Sequence, residues 1–154
     1  MIAVILAAGM ASRLRPLTND RPKCLLEVGR RTLLQRTVDA LLEAGLREFV
    51  VVAGYRGEMI RQFLIKQYPD QTFHFIDNAV FDKTNNIYSL WLTRPFTDGK
   101  DFLLLDSDIL FDPALLRPLL DTPATALAVN RHELGEEEVK TIVDDAGQVV
   151  GIGK

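Results

Sequence analysis

The sequence has a single cysteine, Cys24, among its 154 residues, so no disulfide can form within the chain. A lone thiol fits a reducing compartment, and we expect a cytoplasmic protein. Long apolar runs are also missing. The opening run, MIAVILAA, is too short to span a bilayer and carries neither the basic segment nor the cleavage site of a signal peptide. We therefore expect no membrane segment and no membrane partner.

An excess of positive charge is absent as well. The formal net charge is −3, which argues against a general nucleic-acid-binding surface. Three common site motifs are missing: the Gly-x-x-x-x-Gly-Lys phosphate loop, the Gly-x-Gly-x-x-Gly dinucleotide fingerprint and the Gly-x-Ser-x-Gly hydrolase elbow. These absences remove the commonest ATPase, dehydrogenase and hydrolase classes.

What is present is a regular alternation of strand-like runs and helix-like segments. Helices are expected after Thr32, around Ile60, from Thr84 and after Asp112. Strands are expected at residues 1–8, 49–53, 72–76, 101–106 and 124–129, and a hairpin at 139–143 with 149–152. The order predicts an α/β fold: a mostly parallel sheet with helices on both faces, in one domain over residues 1–154. Such sheets bind ligands at the carboxyl ends of their strands.

The most informative stretch follows the first strand, over residues 6–26. Small residues in this turn let a ligand approach the backbone, whose N–H groups can hold an anion. Arg13 and Lys23 add positive charge, and Pro16 and Pro22 stiffen the loop between and beside them. The pattern predicts a polyphosphate site whose backbone part is formed by Leu6, Ala7, Ala8 and Gly9.

This stretch resembles the signature of the nucleotidyltransferases that make nucleotide-sugars and related activated phosphates. The matching motifs are Leu6-Ala7-Ala8-Gly9, Arg13-Leu14-Arg15-Pro16-Leu17-Thr18 and Pro22-Lys23-Cys24-Leu25. Many family members carry a second glycine where this chain has Ala11. The resemblance implies a Rossmann-like, three-layer domain of the GT-A type.

A second informative stretch is Leu103-Leu104-Leu105-Asp106-Ser107-Asp108. The leucines predict a buried strand that delivers two carboxylates at its exposed end. Residues i and i+2 of a strand share a face, so Asp106 and Asp108 could address one cation. Mg²⁺ commonly takes one or two carboxylates together with substrate phosphates. The resemblance implies that Asp108 is the metal ligand, and we expect Asp106 to contact the substrate.

A third stretch, residues 84–91, contains Asn85, Asn86 and Tyr88. It resembles the Asn-Asn-Ile-x-Ser segment of cytidylyltransferases that activate phosphocholine, and of relatives acting on inositol phosphate or aminoethylphosphonate. We expect the two asparagines to bind nucleotide, because amides both donate and accept hydrogen bonds. Tyr88 is a candidate substrate contact, whereas Trp91 shares an apolar face with Ile87 and Leu90 and is expected in the core.

The resemblance implies a Mg²⁺-dependent transfer of a nucleotide, CMP from CTP above all, to a small phosphorylated acceptor such as phosphocholine. Arg13 and Lys23 would then be catalytic, and Gly54 would join the nucleotide site. Two other readings stay open: a sugar-1-phosphate nucleotidyltransferase using another base, and a non-catalytic nucleotide-binding domain. The family's domain continues beyond the predicted hairpin, so we expect the chain to lack its C-terminal part, with a second metal-binding Asp, and to self-associate.

Overall fold

The computed structural model describes residues 1–130 and 139–153. The chain divides into two compact units, Met1–Leu120 and Asp121–Lys154. Among the described residues, no helix is both long enough and apolar enough to cross a membrane.

The first unit is built on a four-stranded parallel sheet with the order β5-β4-β1-β6. Its strands are β1 (Ile2–Ala7), β4 (Glu48–Ala53), β5 (Thr72–Asp77) and β6 (Phe102–Asp106), and a short antiparallel pair, β2 (Glu27–Val28) and β3 (Arg31–Thr32), follows the first loop. All six residues of β1 are buried, as expected for a central parallel strand covered on both faces.

Helices cover both faces of this sheet. The helices are α1 (Leu33–Glu43), α2 (Gly57–Gln67), α3 (Asn86–Leu92), α4 (Arg94–Thr97) and α5 (Leu116–Asp121). Odd-numbered β1 residues such as Ile5 pack with the apolar side chains of α1, α2 and α5. Even-numbered ones such as Val4 pack with Leu90, Leu92 and Phe96 of α3 and α4. This alternation of side chains along a strand produces three layers. The predicted α/β class is therefore confirmed.

Two predicted helix starts are also confirmed by their caps. Thr32 Oγ1 accepts a hydrogen bond from the Gln35 backbone N–H at 3.0 Å, and Asp112 Oδ1 accepts one from the Ala114 N–H at 2.9 Å. Each satisfies a backbone donor that has no partner inside its helix. The Asp112 cap starts a short 3₁₀ turn, Pro113–Leu115, that runs into α5.

The second unit contains the predicted hairpin, β7 (Lys140–Val143) and β8 (Val149–Gly153), paired antiparallel. The predicted fifth strand at residues 124–129 is wrong: these residues are exposed, and no sheet in the described part of the chain includes them. Apolar and β-branched content alone does not make a strand, because its backbone groups need a neighbouring strand to pair with.

The third segment also departs from expectation. The helix begins at Asn86 rather than Thr84, and Trp91 is 53% exposed and Ile87 76% exposed. The prediction of a core Trp91 is therefore wrong. Ser89 is the buried residue of α3. The face that the helix buries is therefore rotated away from the face that its hydrophobic residues predict.

Candidate active site

The loop after β1 offers unused backbone donors. Within the described residues, the N–H groups of Gly9, Met10 and Ala11 donate no hydrogen bond. Ala11 adopts a left-handed conformation, with φ of 47° and ψ of 46°, in which glycine is favoured over residues with a Cβ. Its carbonyl accepts hydrogen bonds from the Leu14 N–H and the buried Thr18 hydroxyl, both at 3.0 Å. The loop is thus held in shape while its donors stay available to an anion.

Gly54 supports this loop from the end of β4. The Ala8 carbonyl accepts a hydrogen bond from the Tyr55 N–H at 3.1 Å. A Cβ at Gly54 would lie 2.7 Å from the Ala8 oxygen and 2.7 Å from Phe81 Cβ. The close approach of two loops therefore requires glycine at this position.

Lys23 and Asp108 meet at the same place. Lys23 Nζ donates to Asp108 Oδ2 at 2.7 Å, across 85 residues of sequence. Lys23 is held by a 3₁₀ turn, Lys23–Leu25, that follows the extended Pro22. Asp108 lies in the turn after β6 rather than in the strand itself, so the i and i+2 argument does not describe its geometry. Lys23, which can bind phosphate, and Asp108, which can bind a metal ion, are nonetheless in direct contact.

Asp106, the last residue of β6, is the more enclosed carboxylate. Its pKa is raised by burial first and by the negative charge of Asp108 second, while Lys23 opposes the shift. Asn86 Nδ2 donates a hydrogen bond to Asp106 Oδ1 at 2.9 Å. The two carboxylates therefore repel each other, and the positive charge of Lys23 offsets only part of this repulsion.

Cys24 belongs to the same crevice but does not fit a nucleophile. Burial raises the pKa of its thiol to about 12, against the effect of a hydrogen bond with the Ser107 side chain. A thiol of that pKa is protonated at neutral pH and unreactive. We interpret Cys24 as packing beneath the loop that carries Lys23.

One crevice at the carboxyl end of the sheet collects most of the predicted site. Eight residues named from the sequence line it: Leu6, Ala7, Ala8, Gly9, Lys23, Asn86, Asp106 and Asp108. Five further lining residues were not singled out as site residues: Ala11, Pro22, Cys24, Ser89 and Ser107. Ala11, Pro22, Cys24 and Ser107 lie inside or between the predicted motifs, whereas Ser89 has no sequence signal beyond its place in the Asn-Asn-Ile-x-Ser segment.

Four predicted residues do not line this crevice. Arg13 is exposed and makes no hydrogen bond or ion pair within the described part of the chain. Gly54 packs behind the loop, and Asn85 precedes α3 without a side-chain capping bond. Tyr88 stacks on Trp91 with ring centroids 5.6 Å apart. Their predicted roles in binding stay predictions.

The crevice offers a divalent cation the carboxylates of Asp106 and Asp108. No group of three or more His, Cys, Asp or Glu side chains is placed to hold a metal in residues 1–130 or 139–153. Asp106 and Asp108 offer carboxylate oxygens only, and their mutual repulsion favours a positive ion between or beside them. Mg²⁺ bound by one or two carboxylates takes its remaining ligands from phosphates and water. The crevice fits a cation that arrives with a polyphosphate.

Comparison with known proteins identifies the family. Residues 3–145 match the family model of the MobA-like NTP transferase domain. The chain belongs to this family. Its NTP transferase relatives include the CMP-5'-(3-aminopropyl)phosphonate synthase of Streptomyces rubellomurinus, 38% identical over 84% of this chain and 20% of the relative. The choline-phosphate cytidylyltransferase of Streptococcus pneumoniae is 30% identical over 94% of this chain and 60% of the relative.

Solved structures agree on the fold. The inositol-1-phosphate CTP transferase from T. maritima superposes with a TM-score of 0.78 and 23% identity, over 99% of this chain and 63% of that one. The chain thus spans less than two thirds of the length of these relatives. Together, these matches confirm the predicted nucleotidyltransferase family and its α/β architecture.

Proposed function

We propose that this NTP transferase domain is a Mg²⁺-dependent cytidylyltransferase, which transfers CMP from CTP to a small phosphorylated acceptor and releases pyrophosphate. The observation that carries the proposal is the 2.7 Å contact between Lys23 and Asp108 in the crevice that also contains Gly9 and Ala11. Phosphate-binding donors, a cation and a carboxylate pair share this crevice, as phosphoryl chemistry requires. Phosphocholine is the acceptor we favour.

The loop after β1 would bind the triphosphate. The unused N–H groups of Gly9, Met10 and Ala11 offer hydrogen bonds to phosphate oxygens, and Leu6, Ala7 and Ala8 form the wall beneath them. Arg13, exposed and without a partner in the described residues, is free to turn toward the β- and γ-phosphates. Asn85 and Asn86, at the start of α3, are proposed to contact the nucleotide with their amides.

Asp108, assisted by Asp106, would hold Mg²⁺. When bound, the ion supplies charge neutralisation and polarisation at the α-phosphoryl group. Asp108 is the better principal ligand because it is the more accessible carboxylate, whereas burial raises the pKa of Asp106 and Asn86 already occupies one of its oxygens.

In this proposal Lys23 binds Asp108 before the substrates arrive and binds phosphate groups after they arrive. In the structure it neutralises Asp108. Once substrates are present, its ammonium group would bridge the α-phosphate and the acceptor phosphate. An acceptor oxygen forms a new bond to the α-phosphorus in line with the bond to the β-phosphate oxygen, which breaks as pyrophosphate leaves. Lys23 and Arg13 would stabilise the charge that develops on the two groups.

A pyrophosphate-release assay tests the proposal. This chain and a form that spans the full length of its relatives are each incubated with CTP, UTP, GTP or ATP. Each nucleotide is combined with phosphocholine, 2-aminoethylphosphonate, inositol 1-phosphate or glucose 1-phosphate, with Mg²⁺ or EDTA. We expect Mg²⁺-dependent release with CTP and phosphocholine from the longer form, and little or none from this chain alone. Preference of the longer form for a sugar phosphate with another base favours the nucleotide-sugar interpretation. Nucleotide binding by the longer form without release with any pair would indicate a non-catalytic domain.

A further inference from the structure

Helix α3 carries Asn86 into the crevice, yet little in its own sequence fixes its orientation. It spans seven residues, Asn86–Leu92, and an isolated helix of that length is unstable in water. Its N-cap makes no side-chain hydrogen bond, and Ile87 and Trp91 are exposed. Leu90 and Leu92 are only partly buried against the sheet. The residue that α3 buries is Ser89, which is 3% exposed.

The buried serine is bound by a buried asparagine. Asn78, 2% exposed, follows β5, and its backbone N–H donates to the Ala53 carbonyl at 2.8 Å. Its Nδ2 donates to Ser89 Oγ at 3.1 Å and to Thr84 Oγ1 at 3.0 Å, while its Oδ1 accepts from the Val80 N–H at 3.1 Å. Both amide donors and the acceptor are thus used. Through these hydrogen bonds, Asn78 connects α3 and the loop before it to the ends of β4 and β5.

Ser89 and Asn86 lie three residues apart on α3, so they share one side of the helix, and both line the crevice. Asn86 Nδ2 in turn donates to Asp106 Oδ1 at 2.9 Å. A continuous set of contacts therefore runs from Asn78 through Ser89 and α3 to Asn86 and Asp106.

We propose that Asn78 is a positioning residue: through Ser89 it sets the orientation of α3 and so keeps the Asn86 amide against Asp106. The nucleotide readout below rests on the proposed function. Around metal sites, the hydrogen-bond partners that stand behind a ligand typically change affinity or activity by about 10- to 100-fold when removed, because they fix the geometry of that ligand, and we apply the same range to the residues behind Asn86. We expect the lower end of that range, since Leu90 and Leu92 still pack on the sheet.

The test is a double-mutant cycle on Ser89 and Asn86, read by titration with CTP·Mg²⁺. Ser89→Ala should weaken binding about 10-fold in the wild-type chain and have no further effect in the Asn86→Ala chain. Ser89→Thr, which keeps the hydroxyl, should restore most of the affinity. The control is Thr84→Val, which removes the other acceptor of the Asn78 amide, together with the hydrogen bond from Thr84 Oγ1 to the Val80 carbonyl, without touching α3. It should lower the melting temperature at least as much as Ser89→Ala and change affinity less than about twofold.

An equal loss of affinity from Ser89→Ala with and without Asn86, or an equal loss from Thr84→Val, would overturn the proposal. A wild-type chain that binds no nucleotide would instead count against the proposed function. In that case the side-chain amide signal of Asn86 in a ¹H–¹⁵N spectrum tests the positioning role without any nucleotide. We expect Ser89→Ala to move this signal toward its position in the Asp106→Ala variant, and an unmoved signal contradicts the positioning role.

Discussion

Replacing Gly54 with alanine should displace the loop after β1, which lines the proposed nucleotide site, because Gly54 packs against the outer side of that loop. The added Cβ would sit 2.7 Å from the Ala8 carbonyl oxygen, 2.7 Å from Phe81 Cβ and 2.8 Å from Phe81 Cγ. Carbon atoms that are not bonded attract best at separations of roughly 3.5–4.0 Å, so the two contacts with Phe81 are strongly repulsive. The contact with the Ala8 oxygen is also shorter than Cβ atoms in proteins tolerate. Neither neighbour is the far end of a flexible side chain. The β1 loop or Phe81 must therefore move.

The magnitude follows from this crowding. Overpacking of a close-packed site typically costs about 1–3 kcal/mol, and weakening the 3.1 Å hydrogen bond from the Tyr55 N–H to Ala8 adds about 1 kcal/mol. For a chain of this size, the total of about 2–4 kcal/mol lowers the melting temperature by roughly 4–16 °C. Because Ala8 lines the crevice, affinity for CTP·Mg²⁺ should fall as well.

Gly9→Ala is the matched control, measured by thermal unfolding and by CTP titration. An added Cβ at Gly9 has no neighbour within 4 Å, so the melting temperature should stay near that of the wild type. Gly9 lines the crevice, and the methyl group should still hinder the nucleotide. A Gly54→Ala chain that melts with the wild type would refute the close approach of the two loops.

Further predictions concern charge. Lys23→Met should bind Mn²⁺ alone more tightly, because it frees Asp108, while unfolding free energy changes by less than about 1 kcal/mol since the pair is partly exposed, at 33% and 40%. In an active form that spans the full length of the relatives, Arg13→Ala should lower kcat by about 10²–10³ at an unchanged melting temperature. Asp108→Asn should raise the Mg²⁺ requirement in activity titrations more than Asp106→Asn. The raised pKa of Asp106 means that its ionisation opposes folding, so stability is lost as pH rises from the unfolded toward and through the folded pKa. Asp106→Asn should therefore gain more thermal stability at pH 7 than at pH 4.

The fold was predictable wherever burial and local chemistry agree. The apolar runs of β1 and β4 and the caps Thr32 and Asp112 needed no tertiary information. The prediction of a strand at residues 124–129 was wrong because strand propensity does not show whether a neighbouring strand is present to pair with. The prediction of a buried Trp91 was wrong because the contact between Asn78 and Ser89 sets the buried side of α3. This contact is polar, and a hydrophobic pattern does not reveal it.

The crevice was predictable in outline because its chemistry is concentrated in motifs. Lys23 and Asp108 were each singled out, but their direct contact arises from the pairing of β1 with β6 and the loops that follow these strands. Ala11 shows the reverse case: its departure from glycine was visible in the sequence, and the left-handed backbone that favours glycine was visible only in the structure. Self-association and a cytoplasmic location stay predictions.

The central claim is that one crevice binds both the triphosphate and its cation. Isothermal titration of CTP into the wild-type chain, with Mg²⁺ and with EDTA, tests it most directly. Asp108→Asn is compared with Asp70→Asn, an exposed carboxylate outside the crevice. We predict binding that needs Mg²⁺ in the wild-type and Asp70→Asn chains and is largely lost in Asp108→Asn. Equal, metal-independent binding by all three chains would contradict the claim.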